Sequence, residues 1–254
     1  MTDLSDILHP LPLPGNPVGV HVYCTRRGPE AVTDDHYSGF NICDYTGDVP
    51  GHIAECRSAL CSHFDIPLSD LVLPRQTHSA EVAVTDGTPM NLHGVDGLIT
   101  SRPRLLIGVS TADCVPVVLA DPVGRRIAVV HAGWRGAVGG IVENALARMA
   151  SLGSDPADIL VAFGPSICPG CFEVGEEVAV RFPEFCVDRS LPKPHVDLHT
   201  FIASRLQDCG VPVSNISPFD STLCTRCHPD QFFSARASGV ASGRVTTIAY
   251  LDGV

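Results

Sequence analysis

The chain has 254 residues, 44 % of them hydrophobic, with Lys+Arg 17 against Asp+Glu 28 and a formal net charge of −11. That apolar content supports a sizeable core, while the acidic balance and the absence of clustered Lys and Arg argue against an electrostatic grip on nucleic acid or an anionic membrane. The opening Met1-Thr-Asp-Leu-Ser-Asp6 carries acid where a signal peptide needs base, and no apolar run approaches the roughly 18 residues of a membrane span. Most of the eleven cysteines in a chain so read are expected to be free thiols or metal ligands in a cytoplasmic protein.

Residues 1–17, with His9-Pro-Leu-Pro-Leu-Pro-Gly-Asn-Pro17, read as an extended arm of minor role preceding a single domain over 18–254. Residues 18–24 alternate as an opening strand, turned over by Arg26-Arg-Gly28. Beyond Ser38-Gly-Phe-Asn-Ile42 a helix is expected, with Asp48 as N-cap, Pro50 in its first turn, and Ile53, Cys56, Arg57 and Leu60 along it. Short strands at 71–73 and 82–85 flank Arg75-Gln-Thr-His-Ser79, and further strands at 95–100 and 105–110 flank Arg102-Pro103. The apolar runs 115–120 and 127–130, joined at Asp121-Pro-Val-Gly124, predict a hairpin that holds Cys114 and His131 together at one sheet edge. One long helix is then predicted from Gly133-Trp-Arg-Gly136 through Val138, Ile141, Val142, Ala145, Leu146 and Met149 to Gly153. Its free N–H groups would lie beside His131 as a site for phosphate or a developing anion. A strand at 159–163, a helix at 176–182 stopped by Pro183, a helix from Asp197 to Gly210 and a strand at 245–251 complete the chain. Interleaved strands and helices favour one α/β-type domain over two.

His78, Cys114 and His131 are the leading chemical candidates. All three stand at strand ends, and two imidazoles with a thiolate suit a zinc ion that keeps a fourth position open. Asp113 would sit beside them, behind the ligands or as a proton acceptor. If the protein uses its own nucleophile, Cys114 with His131 as base is the natural pair. Cys168-Pro-Gly-Cys171 and Cys224-Thr-Arg-Cys227 together have the composition of a four-thiolate zinc site, although their wide separation is atypical and loop thiols remain the simpler reading for Cys168 and Cys227. Cys224 to His228 also fits the covalent haem pattern, which would require an export signal that is not apparent. Neither a Gly-x-Gly-x-x-Gly loop, a Walker lysine loop nor a Gly-x-Ser-x-Gly elbow occurs, so any phosphate site falls to the helix after Gly136, aided by Arg57 or Arg135.

The segments Gln76-Thr-His78, Thr111-Ala-Asp-Cys-Val-Pro116, His131-Ala-Gly-Trp-Arg-Gly136, Gly164-Pro-Ser-Ile167 with Phe172-Glu-Val-Gly175, and Cys224-Thr225 with Phe232-Phe-Ser234 and Gly243-Arg244 resemble the YfiH-like family. That family was long labelled multicopper polyphenol oxidoreductase or laccase-domain protein and is now described as purine nucleoside phosphorylases. The likeness runs in order over about residues 18–251. It implies an α+β fold, a single-domain α/β/β/α layered sandwich of the cysteine-hydrolase-like type, with zinc, or copper in its place, held at His78, Cys114 and His131. It further implies phosphorolysis of adenosine, inosine, guanosine and methylthioadenosine, deamination of adenosine, and a monomer or weak homodimer with purine nucleosides and phosphate as its partners. Asp113, Cys114 and His131 are then the expected catalytic residues, and Asn41, Arg57, Gln76 and Arg135 the expected substrate-binding ones. Ser79 for the usual glycine, Cys56 for an asparagine, and Ala235 and Ala237 after Phe232-Phe233 are departures that bear on substrate preference more than on metal binding. The alternatives are a Cys-His amidase acting on peptidoglycan-type peptides and a copper-dependent polyphenol oxidase. The latter is the weaker, because no two of the eleven histidines lie two residues apart.

Overall fold

A computed structural model of the chain describes residues 4–32 and 35–253. In chain order the first half contains β1 (Leu8–Pro10), β2 (Val20–Thr25), α1 (Pro50–His63), β3 (Leu71–Val72), β4 (Val82–Val84), β5 (Gly97–Thr100) and β6 (Leu106–Thr111). Next come β7 (Val115–Asp121), β8 (Arg126–Ala132), α2 (Trp134–Val138), α3 (Ile141–Ser151), β9 (Leu160–Phe163) and α4 (Glu176–Ala179). The chain continues through β10 (Val187–Asp188), β11 (His195–Val196), α5 (Leu198–Asp208) and α6 (Ala235–Ser238) to β12 (Val245–Leu251).

Two five-stranded sheets form, one ordered β1-β2-β12-β6-β3 and the other β4-β5-β8-β7-β9. Alternation along β7 shows how they stack, since successive side chains of a strand leave on opposite faces. Val115, Val117 and Leu119 pack on Ile141, Ala145, Met149 and Ile202 of α3 and α5, while Val118 and Ala120 join Val22, Val109, Val245 and Leu251 of the other sheet. The outer face of that other sheet, through Leu106 and Ile248, is covered by Cys56 and Leu60 of α1. The layers therefore run α/β/β/α, and every residue of β7 is buried, as a strand covered on both faces must be. Among the described residues no helix is long and apolar enough to cross a membrane.

Four expectations need correction. The proline-rich start is no loose arm: Leu8–Pro10 pairs antiparallel with β2, setting Leu8 opposite Thr25, and Leu4, Ile7, Leu11 and Leu13 are buried. Proline is tolerated at a sheet edge because its missing donor falls on the unpaired side, so Pro10 does not prevent pairing. Residues 1–3 of that segment lie outside the described residues. The single long helix after His131 is two helices, parted at Gly139 and Gly140, where Gly140 takes φ 85 in the left-handed region that glycine adopts without strain. Asp48 is not the cap of α1, a place taken by Val49; its carboxylate instead accepts from Asn41 Nδ2 and His52 Nδ1. The helix expected over 176–182 is shorter, since only Glu176–Ala179 is helical.

Candidate active site

The β7–β8 hairpin sets Val115 opposite Ala132 and Pro116 opposite His131, so Cys114, one residue before β7, stands across from the end of β8. His78 arrives from the loop between β3 and β4 with φ 63, a left-handed conformation that a non-glycine residue holds only when its surroundings enforce it. The three ligand atoms lie within 4.8 Å of one another. Cys114 Sγ is 3.8 Å from His78 Nε2, and the His78 and His131 rings stand 4.8 Å apart at 70°. His131 is buried, Cys114 half-buried and His78 exposed, so the cluster is accessible from the His78 side.

A residue that sequence reasoning missed holds this arrangement together. Asp96, fully buried one residue before β5, accepts from His131 Nδ1 at 2.7 Å and from the backbone N–H groups of Thr77, His78 and Ser79 at 3.0, 3.0 and 2.9 Å. One carboxylate thus orients the His131 ring and supports the backbone that carries His78. Burial works against its charge, but His131 and these N–H donors outweigh burial and bring Asp96 down to about 2. With Nδ1 committed to Asp96, Nε2 is the His131 atom left for Cys114 or a metal. Burial likewise opposes a Cys114 thiolate, yet the His131 charge and hydrogen bonds from His131 and His78 lower the thiol to about 6. His131 is raised to about 9: burial lowers it, but Cys114 and Asp96 prevail.

One thiolate and two imidazoles form a borderline-soft donor set that suits zinc and is compatible with copper, so the residues present fit a metal of this kind. Close packing supports the cluster from the other side. A Cβ at Gly133, just before α2, would lie 2.9 Å from Cys114 Sγ and 3.0 Å from His78 Cδ2, so a larger residue there would push on both side chains.

Residues 20–252 match a family described as multi-copper polyphenol oxidoreductase laccase. The chain belongs to this family. A relative named adenosine deaminase RL5, from an unknown prokaryotic organism, is 41 % identical over 249 residues, covering 91 % of this chain and 94 % of that protein. A purine nucleoside phosphorylase of Bacteroides thetaiotaomicron is 35 % identical, covering 89 % and 88 %. Among solved structures, YlmD from Geobacillus stearothermophilus superposes with a TM-score of 0.85 at 26 % identity, covering 93 % of each chain. The Bacillus licheniformis hypothetical protein YfiH gives 0.84 at 28 %, covering 92 % of this chain and 93 % of that one. The α/β/β/α sandwich described above is therefore shared with other members of the laccase-like YfiH family.

The remaining expected residues of this family member divide into those near solvent and those committed elsewhere. Asp113 adjoins Cys114 in sequence, but its carboxylate accepts from Thr225 Oγ1, Ser234 Oγ and Arg236 N at 2.7, 2.7 and 2.6 Å. It ties down the loop leading into α6. Asn41 is fully buried, with Oδ1 accepting from Cys43 N and Arg244 N and Nδ2 donating to Asp48, so in this conformation it organises a loop instead of facing a ligand. Gln76 donates to Ser110 O and accepts from Ser110 N and the Tyr45 hydroxyl. Arg57 donates through Nε to Ile42 O, pairs with Asp44 at 3.0 Å, and with Tyr45, Arg75, His93 and Ser110 lines a cavity of about 440 Å³. Arg135 lies exposed with its guanidinium 4.3 Å from the Trp134 ring centroid. The anion site expected of a long helix is curtailed, because α2 has only five residues and its dipole is correspondingly short.

Proposed function

We propose that the chain is a zinc-dependent purine nucleoside phosphorylase, acting on adenosine, inosine, guanosine and methylthioadenosine, with adenosine deaminase activity. The observation that carries this reading is the convergence of His78, Cys114 and His131 behind an accessible edge, backed by a buried Asp96. Two relatives that bear these activities in their names, aligned over about nine-tenths of the chain, support the substrate class. Zinc held by this donor set supplies Lewis acidity beside the substrate. Asp96 keeps a proton on His131 Nδ1 and so presents Nε2 to the cluster. Arg75, with Arg57 paired to Asp44 in the same lining, offers positive charge suited to phosphate in the neighbouring cavity, and Tyr45 adds an aromatic surface suited to a purine. Gln76 links that cavity to the cluster, since it bonds Tyr45 and Ser110 and lies two residues from His78.

In phosphorolysis a phosphate oxygen bonds to ribose C1′ while the C1′–N9 bond breaks, and the purine leaves with the electron pair and takes a proton. In deamination a water oxygen adds at C6 and ammonia leaves. The test is chromatography of adenosine incubated with the protein, with and without phosphate. Adenine formed only with phosphate supports phosphorolysis, and inosine supports deamination. A folded Cys114→Ala variant should lose both activities by at least about 100-fold, and full activity in that variant would overturn the reading.

A second reading draws on the same atoms. Cys114, His131 and Asp96 stand in the order of a thiol nucleophile, its base and the carboxylate that orients the base, which suits an amidase acting on peptidoglycan-type peptides. Amide cleavage by chelator-treated protein, abolished by alkylating Cys114, would favour it over nucleoside chemistry.

A further inference from the structure

The two Cys-x-x-Cys pairs belong to loops that the fold lays side by side. Cys168 precedes and Cys171 ends the turn Pro169–Cys171 after β9, while Cys224 and Cys227 follow the turn Ser221–Leu223. Ser166 N–H donates to Leu223 O at 3.2 Å and Thr225 N–H to Ser166 O at 3.1 Å, stitching one loop to the other. As a result all four sulfur atoms lie within 4.8 Å of one another, with Cys171 Sγ and Cys227 Sγ 3.5 Å apart. We propose that Cys168, Cys171, Cys224 and Cys227 bind a zinc ion as a structural four-thiolate centre, distinct from the cluster of His78, Cys114 and His131.

Three observations support the assignment. A tetrahedral zinc at about 2.3 Å from each sulfur spaces the sulfurs by about 3.8 Å, close to the spacing already present. Cys168 N–H donates to Cys224 Sγ at 3.3 Å, the kind of outer hydrogen bond that supports a thiolate ligand. The tetrad is also not ordinary core packing, since Cys227 is exposed and Cys168 and Cys171 are half-buried; simple loop thiols would have no reason to converge.

What the ion would hold follows from the surrounding bonds. Ile167 N–H donates to Asp113 O at 2.9 Å, and Thr225 and Ser234 hold the Asp113 carboxylate. Both cysteine loops therefore grip the residue immediately before Cys114. Zinc in the tetrad fastens those loops to each other and, through Asp113, steadies the strand end that presents Cys114. This second metal binds no substrate and acts only by position.

The experiment is metal analysis of the full chain purified under reducing conditions, with zinc supplied. Wild type should carry about two zinc ions per chain, Cys171→Ser with Cys227→Ser about one, and His78→Ala with Cys114→Ala about one. After replacement by cobalt(II), the thiolate-to-metal absorption should lose most of its intensity in the first double variant but only about one-fifth in Cys114→Ala, because four of the five thiolates lie in the tetrad. Unchanged zinc content in Cys171→Ser with Cys227→Ser overturns the proposal, as does a wild-type mass lighter by the hydrogens of two disulfides. If that double variant does not fold, zinc-edge X-ray absorption of His78→Ala with Cys114→Ala decides: an all-sulfur shell supports the tetrad, and a nitrogen or oxygen shell refutes it.

Discussion

Asp96 shows how much of a site can rest on a residue that never meets the substrate. Its oxygens receive four donors, one from the His131 ring and three from the backbone carrying His78, so removing its charge disturbs two cluster members together. Asp96→Asn keeps the shape but replaces one acceptor by an NH₂ group facing N–H donors. Metal affinity is expected to fall by about 10- to 100-fold, as is usual for partners of ligating histidines, and chelator-competition titration measures it. An unchanged affinity would mean that His131 needs no orientation from behind. His78, Cys114 and His131 were legible in the sequence because each stands at the end of an apolar run. Asp96 was not, although an acid inside Val95-Asp-Gly-Leu-Ile99 is a buried charge in need of a partner; that partner lies 35 residues away. Asp113 misled for the opposite reason. Adjacency in sequence placed it at the cluster, whereas neighbouring side chains near a strand end leave in different directions, and its own φ of 85 sends the carboxylate to Thr225 and Ser234.

The elements that local chemistry predicts well are those whose pattern has one solution. The hairpin of β7 and β8 formed as expected because two β-branched runs meet at a turn-forming Asp-Pro-Val-Gly, and α5 begins at Asp197, whose side chain accepts from Thr200 N at 2.9 Å. The proline-rich start was misread because its prolines concealed the role of its leucines. Leu11 is 5 % exposed and packs with Val22, Ala162 and Phe232 between the sheets. Leu11→Ala should destabilise the protein by about 2–5 kcal/mol in urea or guanidinium unfolding, the range for a truncated core leucine. A dispensable arm would leave the unfolding midpoint where it was. The division between α2 and α3 was hidden by apolar spacing that carries on across it, even though paired glycines marked the place.

Across the whole molecule, titration of one buried ring contributes to how the fold responds to acid. His199 of α5 is stacked on Phe219 at 3.7 Å and bonded to Ser166 at 2.8 Å, and burial holds it down to about 4, with Asp197 acting weakly in the other direction. The unfolded chain takes up this proton near the usual 6.5, whereas the folded chain resists until about 4, so the unfolded state binds more protons in that window. Its contribution to stability is therefore intact above pH 6.5 and is lost as the pH falls towards 4, on the order of 3 kcal/mol in all. Thermal midpoints should fall over this range in wild type and much less in His199→Gln; parallel curves would assign the acid sensitivity to other groups.

The placement of β12 has a cost in time. It lies between β2 and β6, pairing Ile248 with Tyr23 on one side and with Gly108 on the other, so one sheet closes only when the chain from 245 to 251 slots into its middle. A ribosome must deliver that stretch before Val22 and Val109 are covered. Contacts this remote in sequence slow folding and prolong the exposure of sticky intermediates. Nascent chains halted short of Val245 should therefore remain dependent on chaperones, however complete their hairpin and its ligands already are.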